Sequence, residues 1–138
     1  MEKKFNLDGH QRFWKFMSKN PQLDIESGLN KAKLNNIITE TEFLEYTNGK
    51  DCRTGCKYAN SICENCIFDM KDPRRCLGGL YDAYERGQKK FYPIYKTFVK
   101  RPELINDHKF MKKFLRMKTR ITRLCMRIVN HKIKEELW

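Results

Sequence analysis

Apolar residues recur along this chain at steps of three and four, the interval at which side chains share one face of an α-helix. Phe13, Phe16 and Met17 form the first such stripe, with Trp14 beside it. The stretch reads as a helix over 9–19 with Asp8 as its N-cap. Asn20-Pro21 ends it, because proline lacks an amide proton and turns the preceding residue away from helical geometry. A second helix is expected after Asp24 or Ser27, carrying Leu29, Ala32 and Leu34. Thr39 and Glu42 have capping-box spacing, which opens a third helix through Phe43, Leu44 and Tyr46, closed at Asn48-Gly49. Leu77 to Arg86 is expected to be helical with Leu80, Tyr81 and Tyr84 inward, and Gly87 to stop it. Residues 88–102 are aromatic and basic around Pro93, and helix is preferred to strand after that proline.

From Asp107 to about Glu136 the pattern predicts one uninterrupted helix, up to about 45 Å long at 1.5 Å per residue. Its apolar seam is Phe110, Phe114, Met117, Ile121, Leu124 and Ile128. Lys109, Lys113, Arg116, Arg120, Arg123 and Arg127 run beside it with the same steps, one residue out of register. One residue is about 100° of rotation on a helix, so the basic ladder flanks the seam, where it can border a groove. The expected fold is all-α: a small helical domain with a cysteine loop, followed by a long basic C-terminal helix. We place the division between residues 1–86 and 87–138. The heptad-like seam also allows a homodimer through the C-terminal helix.

Charge sharpens that division. The net charge is +12, yet residues 1–85 carry 13 Lys/Arg and 13 Asp/Glu. Residues 86–138 hold 16 Lys/Arg against Glu103, Asp107, Glu135 and Glu136, and 16 − 4 accounts for the whole excess. Such asymmetry implies a polyanionic partner for the second part. Lysines interleaved with aromatics over 89–100 suit phosphate contact combined with base stacking. The candidate nucleic-acid contacts are Lys89, Lys90, Lys96, Lys100, Arg101, Lys109, Lys113, Arg116, Arg120, Arg123 and Arg127. The competing readings are a solvated helix face and contact with an acidic protein surface.

Five of the six cysteines, Cys52, Cys56, Cys63, Cys66 and Cys76, fall within residues 51–76. Two short pairs, C-x3-C and C-x2-C, joined by a turn can present four thiolates to one ion, the arrangement of structural Zn2+. Cys52, Cys56, Cys63 and Cys66 are the preferred set, with Cys76 able to replace one of them, Cys52 first. An iron–sulfur cluster, three disulfides and metal-free thiols are the alternatives. His10, His108 and His131 have no ligand spacing, and Cys125 reads as a small buried hydrophobe. A start without an apolar run behind its lysines, and no stretch approaching 18 apolar residues, lead us to expect a cytoplasmic chain with no membrane partner. Neither a Gly-rich phosphate loop, an H-E-x-x-H pair nor a nucleophile elbow occurs, so no enzyme is expected.

His10-Gln11-Arg12-Phe13-Trp14, then Cys56-Lys57-Tyr58, Cys63 and Cys66, then Cys76 and Leu80-Tyr81 form a recognisable order. It resembles small cysteine-cluster proteins of phages and mobile elements of low-GC Gram-positive bacteria, over residues 8–86. The pattern departs at Cys52, one residue further from Cys56 than the family spacing, and at Ile67-Phe68, where the family has Pro-Leu. The resemblance implies metal binding and an accessory protein of a phage or mobile element, and supplies no activity. Together these observations lead us to expect a zinc-binding protein that contacts nucleic acid or a host ribonucleoprotein. The runner-up is an inhibitor directed at a host protein, either a bacterial nucleic-acid enzyme or a defence nuclease.

Overall fold

A computed structural model describes residues 7–49 and 80–130, and within them the chain is all-helical. The elements are α1 (Leu7–Ser18), α2 (Ile25–Leu34), α3 (Glu40–Gly49), α4 (Leu80–Lys100), a short 3₁₀ helix (Pro102–Asn106) and α5 (His108–Val129). Among these residues no helix is long and apolar enough to cross a membrane.

Local chemistry sets most of the helix starts. The Asp24 carboxylate caps α2 by accepting from the Ser27 amide at 2.8 Å. At α3 the capping box is reciprocal: the Thr39 amide donates to Glu42 Oε1 at 2.9 Å, and the Glu42 amide donates to Thr39 Oγ1 at 3.1 Å. Asp107 caps α5 by accepting from the Phe110 amide at 3.1 Å. Asp8 does not cap α1. It lies inside the first turn and accepts from Arg12 Nε at 2.7 Å.

Gly87 does not end a helix, and α4 runs through both it and Pro93. Glycine and proline disfavour a helix interior by about 1 and 3 kcal/mol respectively, so packing has to outweigh them. Phe91 is 1% exposed, and its ring lies 5.2 Å from that of Phe114; Phe98 lies 5.0 Å from Phe114 and stacks on Phe110 at 6.2 Å. Burying one such aromatic contributes about 1.5–3 kcal/mol, so the seam after residue 90 is enough to hold the helix straight through. The boundary placed at 86/87 therefore falls inside α4.

The 3₁₀ helix reverses the chain, and α5 packs back along α4 while α1 packs on α5. One core serves both halves of the sequence: Phe13, Trp14 and Met17 of α1 share it with Tyr84 and Phe91 of α4 and Ile121, Cys125 and Ile128 of α5. Trp14 is fully buried, with Tyr84 edge-on at 5.2 Å, Phe13 at 5.4 Å and Tyr81 at 6.5 Å. Buried or part-buried polar links fix the register. Tyr84 Oη donates to Leu23 O at 2.8 Å, Gln88 Nε2 to Gln22 O at 3.1 Å, and Thr122 Oγ1 to Ser18 O at 3.1 Å. Arg12 reaches Glu42 with both Nη atoms at 3.1 and 2.7 Å, clasping α1 to the start of α3.

The seam of α5 is consumed inside one chain. Phe114, Ile121, Leu124 and Ile128 are buried against α1 and α4, and Phe110 is half-buried against Phe98. A homodimer through that seam has no free apolar stripe to use. Asn130 forms the C-cap of α5, its amide donating to Met126 O at 3.0 Å. The expected continuation to Glu136 lies outside the described residues.

Candidate nucleic-acid interface

The sequence of α5 contains no acidic residue, and once its apolar side is buried every lysine and arginine is left exposed. Alone this is a solvated face. What gives it shape is the continuation of α4. Arg86 and Lys90, one turn apart on α4, stand across from Lys113, Arg116 and Arg120 on α5. Ala83, Gly87 and Met117 complete a cleft of about 430 Å³ between the two helices. At Gly87 the two helices approach closely: a Cβ added there would come into ordinary contact with Ile121 Cγ1 at 3.4 Å.

Five cations thus converge, and no carboxylate stands on the cleft wall among the described residues. None of the five forms an ion pair among the described residues, where the cationic partners of such pairs are Arg12, Lys33, Lys89 and Arg101. Arg116 and Arg120 also belong to a shallower surface on the outer side of α5, with Arg123, Arg127, Leu115, Thr119 and Leu124. The cationic strip therefore runs from α4 across the cleft and onto the outer side of α5.

The other expected contacts separate from this strip. Lys89 pairs with Glu85 at 3.4 Å and lines a different cleft of about 730 Å³, between α4 and residues 22–31, where Asp24, Glu26 and Glu85 are also present. Lys96 sits 4.7 Å above the Tyr92 ring. Arg101 pairs with Glu103 at 3.3 Å; a backbone hydrogen bond first, and this pairing second, hold that carboxyl below the usual range. Lys100 and Lys109 are exposed away from the cleft. The aromatics of 89–100 are not the stacking platform their interleaving implied. Phe91 is buried and Phe98 half-buried in the core, Tyr95 is half-buried, and Tyr92 is exposed.

Arg86 was absent from the expected set. Its i, i+4 spacing to Lys90 is a same-face signal, but a helix ending at Gly87 hides it. Cys52, Cys56, Cys63, Cys66 and Cys76 lie outside the described residues; within those residues no group of three His, Cys, Asp or Glu is placed to hold a metal ion. Cys125 is fully buried, and burial pushes its thiol up to about 12, so it stays protonated at neutral pH despite Arg123 and Arg127 nearby in sequence. No protein-family model, curated protein or solved structure matches this chain.

Proposed function

We propose that this chain is a non-enzymatic, zinc-binding accessory protein of a phage or mobile element that engages nucleic acid, free or in a host ribonucleoprotein, through its α4–α5 face. The observation that carries the reading is the cleft in which Arg86, Lys90, Lys113, Arg116 and Arg120 meet with no carboxylate among the described residues. Such a set of like charges is unfavourable until a polyanion neutralises it, and each neutralised phosphate releases condensed counterions. Four thiolates among Cys52, Cys56, Cys63, Cys66 and Cys76 hold the zinc in this reading, on the strength of their spacing. The test is a salt titration of binding to DNA and RNA. Affinity should fall by about 0.7–0.9 log units per contact per log unit of salt. Absence of binding at low salt, or binding indifferent to salt, contradicts the proposal. Metal analysis of the purified chain with a thiol count tests the zinc.

A second reading has one observation in its favour. Leu115 is 51% exposed amid Arg116, Arg120, Arg123 and Arg127 on the outer side of α5. An apolar side chain among arginines is a mixture typical of protein interfaces, as expected of an inhibitor that docks on an acidic surface of a nucleic-acid enzyme or defence nuclease. Capture of one host protein that survives nuclease treatment, and is lost on Leu115→Asp, favours this reading over the first.

A further inference from the structure

We infer that the α4–α5 cleft grips the phosphates of a single nucleic-acid strand and does not read its bases, an inference that rests on the nucleic-acid reading above. The first reason is shape. The cations stand on the two sides of a surface groove of about 430 Å³ where α4 and α5 pack together. One flexible backbone can lie along such a groove between its two rows of cations, whereas a duplex can only rest across its rim.

The second reason is length. Lys113 to Arg120 spans about 10 Å of α5 at 1.5 Å per residue, and a strand in helical stacking carries one phosphate per roughly 3.4 Å. About three consecutive phosphates therefore face the five cations, an excess that suits a backbone held from both sides. The third reason is what the walls lack. Beyond the cations the lining is Ala83, Gly87 and Met117. Apart from the guanidinium and ammonium groups, which a backbone held from both sides engages, the lining among the described residues offers no amide, hydroxyl or carboxylate to pair with a base edge and no aromatic ring on which a base can stack. Tyr92, the exposed aromatic of α4, lines the other cleft.

The experiment compares the full chain binding a labelled oligothymidine strand, an oligoadenine strand of equal length and the duplex the two form, by fluorescence anisotropy across a salt series. The two strands should bind within about threefold of each other and about tenfold more tightly than the duplex. Arg86→Gln with Lys90→Gln should lower the salt slope, by about 0.7 for each phosphate left without a cation. Lys113→Gln with Arg120→Gln, from the opposite wall, should do the same, and circular dichroism establishes that each variant is folded. Tighter binding of the duplex, or a strong preference for one base, overturns this inference and leaves the proposed function standing. Inorganic polyphosphate bound more tightly than either strand reassigns the cleft to a phosphate chain without bases and also overturns it. Failure of every nucleic acid to bind at low salt removes both.

Discussion

The surroundings of Trp14 and the cleft between α4 and α5 are built from the same helices yet obey opposite rules. Around Trp14 every large ring has an intramolecular neighbour: Phe13, Tyr81 and Tyr84 lie within 6.5 Å of it. In the cleft, five charged side chains converge, and none of them forms an ion pair among the described residues. The first arrangement lowers the free energy of the folded chain by itself; the second does so only when something anionic arrives. Stability and binding should therefore respond to different substitutions, and that separation can be attacked from either side.

The largest effect is expected at the Trp14 end. Trp14→Ala removes the largest fully buried side chain among the described residues and should cost about 3–5 kcal/mol in chemical denaturation. A loss under 1 kcal/mol would mean that this end does not organise the fold. Next is the clasp between α1 and α3. Arg12→Met removes a two-pronged contact and leaves Glu42, whose side chain is 8% exposed, without its guanidinium. About 2 kcal/mol is expected, the usual scale for hydrogen bonds to charged groups, with binding by the remaining folded protein unchanged.

A pH titration probes the same core. Burial raises Cys125 from the ordinary 9.0 to about 12 and moves Tyr84 upward from 10.0. Above pH 9 the unfolded chain loses the Cys125 proton while the folded chain keeps it, so the unfolded state binds fewer protons and stability falls as pH rises. The contribution is fully present below pH 9 and lost progressively towards pH 12; Tyr84 adds to the decline from about pH 10 upward. Cys125→Ala should flatten the first part of the fall, measured as the denaturation midpoint against pH. The smallest stability effect belongs to the cleft. Arg116→Gln with Arg120→Gln should leave stability within about 0.5 kcal/mol or raise it slightly, because like charges one turn apart repel. The same pair should sharply weaken nucleic-acid binding. A marked fall in melting temperature instead would show that these arginines serve the fold.

Much of the core could be read along the chain because its signals are local. The Thr39–Glu42 box and the Asp24 cap lie where side-chain spacing places them. The α5 seam at Phe114, Ile121, Leu124 and Ile128 is buried as its period requires. The one-residue offset of the basic ladder brings Lys113, Arg116 and Arg120 to the edge of a groove, as rotation on a helix predicts. Of the opposite wall, Lys90 was among the expected contacts and Arg86 was not. Arg86 and Lys90 share one helix face because α4 continues through Gly87, and its further course depends on Phe91 and Phe98 packing against a helix some twenty residues later. Local propensity opposes it and tertiary burial overrides it. The same packing explains why the aromatics of 89–100 proved to be core residues in the main, since alternation with lysines along the chain does not reveal which side of a helix faces inward.

The most direct test of the central claim is the salt dependence of binding between the full chain and a single strand. About three neutralised phosphates predict a slope of log affinity against log salt of about −2, at roughly 0.7 per phosphate, reduced as cleft cations are removed. A slope near zero, or no binding at about 50 mM salt where such contacts are strongest, would contradict the assignment of this cleft to a phosphate backbone.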